Sequence, residues 1–265
     1  MARLTSRRLL AGLAAALALS LALTACGDDD GGSGGSATTS PAGGKITVFA
    51  AASLTDAFGQ LGDQFEAAHP GVTVEFNFAA SSALREQILG GAPADVFASA
   101  NESNMTQVVD PGHAYDPKTF ATNILEIATP PDNPGNVTGL ADFAKSALLI
   151  GLCAEEVPCG EFGREALANA GVTPSIDTNE PDVRSLLTKV ENGDLDAGIV
   201  YHTDVLAAGD AVQGIEIPDE ANVVATYPIA ALSHSVQAEL AAAFVEYVLS
   251  DQGQQVLGTF GFQPA

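Results

Sequence analysis

The fold of this chain is decided by residues 46–58, which run Ile46-Thr47-Val48-Phe49-Ala50-Ala51-Ala52-Ser53-Leu54-Thr55-Asp56-Ala57-Phe58. The first four residues are β-branched or aromatic, which predicts a short buried strand. Three alanines follow, and Ser53 then stands where a helix N-cap is expected, with Asp56 as its capping-box partner. A small-residue turn that opens into a helix can bind an anion, because the first N–H groups of a helix have no partner within it.

Strand-like runs alternate with helical patterns along the rest of the chain, and a second strand-to-helix turn carries Ser81 and Ser82. Further strands are predicted at 72–78, 95–98, 123–128, 147–152, 195–201, 222–225 and 227–232. Further helices are predicted at 83–89, 160–170, 182–191, 235–249 and 252–257. This alternation predicts an α/β fold with largely parallel sheets, in which ligands bind at the carboxyl ends of the strands.

The N-terminal 25 residues have the pattern of a bacterial lipoprotein signal peptide. A basic start is followed by an apolar run at 9–23, and the motif LTACG at 23–27 ends it. The pattern predicts cleavage after residue 25 and a diacylglycerol on Cys26; the alternative is an ordinary signal peptide with a chance cysteine. The basic start is compatible with both Sec and twin-arginine export.

Residues 26–44 contain three aspartates and otherwise mostly small residues, which predicts a flexible tether. The lipid and the tether together predict that the folded part is held at the extracytoplasmic face of the cell membrane, where disulfides are tolerated. That folded part, from residue 45 onward, is long enough for two small lobes or one large domain.

The chain is strongly acidic, with 33 Asp and Glu against 10 Lys and Arg and a formal net charge of −23. A nucleic-acid partner is therefore not expected, since such a chain offers no basic surface for phosphates. The acidity favours solubility and does not specify a fold.

Signals for catalysis or metal binding are weak. The four histidines are not spaced as metal ligands, and the chain has no Gly-x-Ser-x-Gly or phosphate-loop motif. With Cys26 lipidated, Cys153 and Cys159 remain, and outside the cytoplasm such a pair favours a local disulfide over two free buried thiols. The disulfide would fix a loop between a strand and a helix N-terminus.

Six short motifs occur in order along the chain and are followed by Gly261-Phe262 near its end. The motifs are VFAAASL at 48–54, FAASSAL at 78–84, GAPADV at 91–96, VPCG at 157–160, DVR at 182–184 and GIVY at 198–201. In this order they closely resemble the extracytoplasmic molybdate-binding proteins of ABC importers, over residues 45–262. The resemblance implies a two-lobed type II periplasmic-binding-protein fold, in which each lobe is a mixed, mostly parallel sheet flanked by helices and the ligand lies in the cleft.

The same resemblance implies lobe 1 at residues 45–123 and 225–265 and lobe 2 at residues 124–224, with hinge crossovers near Ile124 and Ala225. It implies high-affinity binding of molybdate, and of tungstate, and delivery of the anion to the permease subunits of an ABC transporter. A monomer without a cofactor is expected, and no enzymatic activity; molybdenum would be bound only as its oxyanion.

The oxyanion ligands implied by the resemblance are Ser53, Ser81, Cys159, Val183 and Tyr201. The serines and the tyrosine contribute hydroxyl groups, Ser53 also its N–H, and the remaining two residues contribute backbone N–H groups. Cys159 departs from the family, which commonly has alanine there. If only its N–H is used, its sulfur is free to form the disulfide, whereas a thiolate would repel the anion.

All of these groups are neutral hydrogen-bond donors, so the site favours anions that carry no proton over protonated phosphate. The choice between molybdate and sulfate depends on cavity size, which residue types do not determine.

At the second motif, Ser82 is the less favoured alternative to Ser81. A receptor for another oxyanion such as sulfate, a thiol enzyme with Cys159 near His202, and a peptide or carbohydrate receptor remain alternatives. The last calls for an aromatic groove, yet the chain has no Trp and four Tyr.

Overall fold

The computed structural model describes residues 43–265. The predicted signal peptide, the lipidated Cys26 and the tether as far as residue 42 lie outside the described residues. The first strand begins at Gly44, the last residue that the sequence pattern assigned to the tether.

The described residues form nine strands and eight α-helices. The strands are β1 Gly44–Ala51, β2 Val72–Ala79, β3 Val96–Ala98, β4 Lys118–Thr129, β5 Ile150–Cys153, β6 Thr178–Glu180, β7 Ala197–Tyr201, β8 Gln213–Glu216 and β9 Val224–Ala231. The helices are α1 Thr55–Ala68, α2 Ser81–Leu89, α3 Glu102–Val109, α4 Pro158–Asn169, α5 Val183–Glu191, α6 His202–Ala208, α7 Ala238–Leu249 and α8 Asp251–Thr259. Within residues 43–265, none of these helices has both the length and the apolarity that crossing a bilayer requires.

The strands form one continuous sheet in the order β2-β1-β3-β9-β4-β7-β5-β6, and β8 also pairs with β4. Both ends of the sheet are parallel: β1 pairs with β2 and β3, and β5 pairs with β6 and β7. Between these ends, β4 and β9 run antiparallel to their neighbours. The predicted α/β class is confirmed, with the parallel pairing confined to the two ends.

Strand β4 connects the two ends of the sheet. As far as Ile124, β4 pairs with β9, and from Leu125 onward it pairs with β7. One residue later β4 also begins to pair with β8. We refer to residues 43–123 and 225–265 as lobe 1 and to residues 124–224 as lobe 2. That the two lobes move relative to each other stays a prediction.

An aromatic cluster under the sheet of lobe 1 holds α1 in place. The rings of Phe65 and Phe244 meet edge to face with centroids 5.2 Å apart, and Phe58 is fully buried. A Cβ at Gly62 would lie 2.6 Å from the ring of Phe76, which explains a glycine where α1 crosses β2. Burial of each such ring contributes about 1.5–3 kcal/mol, so the start of α1 is firmly positioned beyond the carboxyl end of β1.

Candidate ligand-binding site

The five residues predicted to bind the ligand come together around one small cavity. Its lining consists of Ala51, Ala52, Ser53, Ala80, Ser81, Ala100, Val157, Pro158, Cys159, Asp182, Val183 and Tyr201. These residues lie at or just beyond the carboxyl ends of the parallel-paired strands, where open α/β sheets bind ligands. Each lobe supplies half of them, so the cavity lies between the lobes.

Ser53 does not cap a helix, and this part of the prediction is wrong. A turn of 3-10 helix, Ala52–Leu54, is inserted after β1, so that α1 begins only at Thr55 and has no side-chain cap. The Ser53 hydroxyl lies instead 3.0 Å from the hydroxyl of Tyr227 on β9. The predicted capping partner, Asp56, forms an ion pair with Arg184.

Ser81 is the first residue of α2, which begins two residues earlier than the sequence pattern predicted. Its Oγ accepts a hydrogen bond from the N–H of Ala100 at 2.9 Å. Because a backbone N–H can only donate, the hydroxyl proton of Ser81 stays available for a ligand. Ser82 is also buried, but it is not among the residues that line the cavity.

In lobe 2, Cys159 reaches the cavity as the second residue of α4, directly after Pro158. A disulfide joins it to Cys153 at the end of β5, with the two Cα atoms 5.7 Å apart. A Cβ at Gly160 would collide with the carbonyl oxygen of Ala154, so glycine is required for this close approach. The N–H of Cys159 belongs to the first helical turn, where no acceptor exists within the helix. The disulfide uses only the sulfur, so this N–H is still able to donate a hydrogen bond.

Val183 is the first residue of α5, and its neighbour Asp182 is the N-cap. The Asp182 carboxylate accepts hydrogen bonds from the N–H and the hydroxyl of Ser185, both at 2.9 Å. Asp182 is the single charged residue among those lining the cavity, and its carboxylate is hydrogen-bonded within the first turn of its own helix. The amide of Val183 remains a first-turn donor beside the cavity.

Tyr201 ends β7 and is 1% exposed. Its hydroxyl lacks a hydrogen-bond partner among residues 43–265, although it is buried against the cavity. Burial raises the pKa of Tyr201 well above its ordinary value, so the hydroxyl keeps its proton. A buried hydroxyl without a partner costs about 1–3 kcal/mol, and a ligand in the cavity would remove that cost.

A charged bridge that was not predicted from the sequence lies beside the cavity. Arg184 Nη2 is 2.6 Å from Asp56 Oδ2 of lobe 1, and Arg184 Nε is 3.1 Å from Asp204 Oδ1 of lobe 2. The second pair is close enough for ionic attraction, but neither atom makes a directional hydrogen bond. Burial raises the pKa of Asp204 to about 6, more than the neighbouring Arg184 guanidinium lowers it.

A second contact between the lobes involves Asn101 and Glu161. The side-chain amide of Asn101 donates to Glu161 Oε2 at 2.9 Å, from the N-cap of α3 to the first turn of α4. Each of these bridging residues lies within three positions of a residue that lines the cavity. These contacts are therefore made by residues close in sequence to those that line the cavity.

The cavity is suited to an anion that accepts hydrogen bonds. Three hydroxyl groups and the first-turn amides of α2, α4 and α5 surround it, and no lysine or arginine is among its twelve lining residues. Across the described part of the chain, no group of three or more His, Cys, Asp or Glu side chains is placed to hold a metal ion.

Comparison with known proteins gives a consistent family. The family described as bacterial extracellular solute-binding protein matches residues 46–263. The molybdate-binding protein ModA of Mycobacterium bovis is 40% identical over 257 residues, which cover 95% of this chain and 96% of that protein.

Two solved structures share the fold at low sequence identity. The periplasmic molybdate-binding protein of Azotobacter vinelandii has a TM-score of 0.73 at 19% identity, covering 83% of this chain and 99% of that one. The sulfate-binding protein SubI of Mycobacterium tuberculosis has a TM-score of 0.75 at 18% identity, covering 83% of this chain and 87% of that one. The predicted periplasmic-binding-protein fold is confirmed, and the chain belongs to the family of bacterial extracellular solute-binding proteins.

Proposed function

We propose that this protein captures molybdate, and also tungstate, outside the cytoplasm and delivers it to the permease of an ABC importer. The observation that carries the proposal is the buried hydroxyl of Tyr201, which has no hydrogen-bond partner among residues 43–265 and lies beside a cavity that Ser53 and Ser81 also line. The choice of molybdate is supported by the ModA relative at 40% identity.

The donor set supports tight anion binding without a basic residue in the cavity. A hydrogen bond to a charged group contributes about 1.5–3 kcal/mol, and such bonds strengthen when water is excluded. The proposed ligands are Ser53, Ser81, Cys159, Val183 and Tyr201. Their neutrality lets a strongly acidic chain hold a dianion, because the one lining carboxylate is already bonded to Ser185.

A receptor for sulfate is the closest alternative, since a sulfate-binding protein shares the fold. Titration calorimetry of the protein against molybdate, tungstate, sulfate and phosphate separates the two. We expect molybdate and tungstate to bind more tightly than sulfate, and phosphate to bind most weakly. Sulfate binding as tight as that of molybdate would overturn the choice of ligand.

We further propose that the protein is a lipid-anchored monomer that acts as a binding protein and not as an enzyme. The disulfide supports the second point, since it occupies the Cys159 sulfur that a thiol enzyme would need. Fractionation of cells expressing wild-type protein and Cys26→Ala tests the anchor. The wild type should remain with the membrane and the variant should not; equal membrane retention of both would contradict the anchor.

A further inference from the structure

The hydroxyl groups of Ser53 and Ser81 each have a hydrogen-bond partner within the protein. Ser81 Oγ accepts from the N–H of Ala100, which leaves its own proton for the cavity. The Ser53 Oγ has Tyr227 Oη at 3.0 Å, and either hydroxyl could be the donor in that pair. The direction of this one hydrogen bond therefore decides whether Ser53 offers the cavity a proton or lone pairs.

The surroundings of Tyr227 fix the position of its hydroxyl. The side chain is fully buried, and the rings of Phe120, Tyr201 and Phe262 pack edge to face against it with centroids 6.2, 6.0 and 5.5 Å away. Burial raises the pKa of Tyr227 well above its ordinary value, so the hydroxyl keeps its proton. Tyr227 therefore always carries a proton that it can donate to Ser53, whose Oγ lies 3.0 Å away.

We infer that Tyr227 is a positioning residue that donates its hydroxyl proton to Ser53, directs the Ser53 proton into the cavity, and thereby makes the site discriminate against protonated oxyanions. The inference rests on the proposed oxyanion-binding function. With its proton turned toward the cavity, Ser53 meets an unprotonated anion with a donor. A protonated anion such as hydrogen phosphate then finds its own O–H facing another donor, which leaves both hydrogens without an acceptor.

The same reasoning gives a consequence for the variant Tyr227→Phe. Without the tyrosine hydroxyl, the Ser53 hydroxyl is free to turn and can accept a hydrogen bond as well as donate one. Molybdate should then bind about tenfold more weakly, whereas inorganic phosphate should lose little affinity or gain some. The ratio of the phosphate and molybdate affinities is the informative quantity, because a general loss of structure would lower both.

Titration calorimetry near neutral pH on wild type, Tyr227→Phe, Ser53→Ala and the double variant tests the inference. Tyr247→Phe is the matched control, since it removes a tyrosine hydroxyl that bonds to Gln64 far from the cavity. We expect the affinity ratio to shift toward phosphate by about tenfold in Tyr227→Phe and not in the control. In the Ser53→Ala background, Tyr227→Phe should have little further effect, because the two residues act as one unit.

A second measurement needs no variant. In the molybdate-bound wild type, the Tyr227 hydroxyl proton should exchange slowly with water and give an NMR cross-peak to the Ser53 β-protons. An unchanged affinity ratio in folded Tyr227→Phe, an equal effect of that change with and without Ser53, or absence of this cross-peak would each overturn the inference. Failure of the wild type to bind any of these anions would instead remove the proposed function.

Discussion

At the scale of single residues, two polar side chains of the cavity have acceptor atoms that are occupied by donors of the protein. Ser81 accepts from Ala100, and Asp182 accepts from Ser185. Tyr201, in contrast, has a buried hydroxyl without a partner among the described residues. A cavity of this kind attracts an anion even though the chain as a whole is acidic.

Removing single hydroxyl groups from the cavity should weaken anion binding. We expect Ser53→Ala and Tyr201→Phe each to lower molybdate affinity by about tenfold or more, because each loses a hydrogen bond to a charged ligand. Titration calorimetry measures the effect, with Ser82→Ala as the control because Ser82 is buried but does not line the cavity. Wild-type affinity in both Ser53→Ala and Tyr201→Phe would remove these residues from the site.

Asp204 should make stability depend on pH. Burial raises its pKa from 3.8 to about 6. An acid whose pKa is raised on folding stabilises the folded state below its unfolded pKa, and this contribution is lost as the pH rises through about 6. Asp204→Asn does not titrate, so its free energy of unfolding relative to wild type should rise by about 2 kcal/mol between about pH 4 and pH 7.

Urea unfolding of the ligand-free protein at the two pH values measures this difference. The matched control is Asp63→Asn, which removes an exposed carboxylate from α1. A difference between wild type and Asp204→Asn that stays constant with pH would show that Asp204 has no raised pKa in the folded protein.

All five residues that the sequence motifs predicted as ligands are among the twelve that line the cavity, but the residues that support them were not predicted. Tyr227 is 174 positions from Ser53, and no local sequence pattern predicts a hydrogen bond over that separation. Ser53 itself was predicted as a cap because the sequence shows a serine before a helical pattern. The inserted 3-10 turn places Ser53 before the start of α1 without making it the N-cap, and the sequence pattern did not reveal this turn.

At the scale of elements, the start of α4 is held by a covalent bond and by several polar contacts. The disulfide connects it to β5, and Gly160 allows the helix to lie against the carbonyl of Ala154. The side chain of Arg164 adds hydrogen bonds to the carbonyl oxygens of Cys153 at 2.8 Å and Gly160 at 2.9 Å. The loop before α4 is therefore tied by several bonds besides the disulfide.

Removing the disulfide should cost stability more than affinity. We expect the double variant Cys153→Ala/Cys159→Ala to lose about 2 kcal/mol of unfolding free energy, because the cross-link closes only a short loop. Molybdate affinity should fall only slightly, since the N–H of residue 159 remains. Urea unfolding and calorimetry on the same samples separate the two effects, and a near-complete loss of binding would mean that the disulfide positions the anion directly.

The elements that the sequence predicted are those with long apolar runs, such as β1 and α7. The short elements α3, α6, β6 and β8 were not predicted, because three to eight mostly polar residues give no clear period. The runs 222–225 and 227–232 were predicted separately, yet they lie in one strand, β9. Pairing with β3 and β4 on its two sides explains this continuity.

At the scale of the whole molecule, two of the polar contacts that join the lobes lie next to residues that line the cavity. They are the ion pair of Asp56 with Arg184 and the hydrogen bond of Asn101 with Glu161. Opening of the cleft would break both, while the turns that carry them also carry the anion donors. These contacts should therefore favour the closed arrangement and slow release of the ligand.

Asp56→Asn should speed ligand release. It removes the charge that attracts Arg184 across the cleft but leaves the guanidinium beside the buried Asp204. Because the pair is partly exposed, we expect a modest effect, an increase of about two- to fivefold in the molybdate dissociation rate. Stopped-flow displacement measures the rate, and Glu75→Gln is the control, since it breaks an exposed ion pair with Lys45 inside lobe 1. Equal rates in wild type and Asp56→Asn would contradict a role in closure.

The central claim, that one anion is held between the lobes by neutral donors, is tested most directly by a crystal structure of the molybdate complex. Anomalous scattering from molybdenum locates the anion without reference to the protein. We expect one molybdenum in the cavity, with oxyanion oxygens within hydrogen-bond distance of the hydroxyl groups of Ser53, Ser81 and Tyr201. Molybdenum bound elsewhere, or held there by a lysine or arginine side chain, would contradict it.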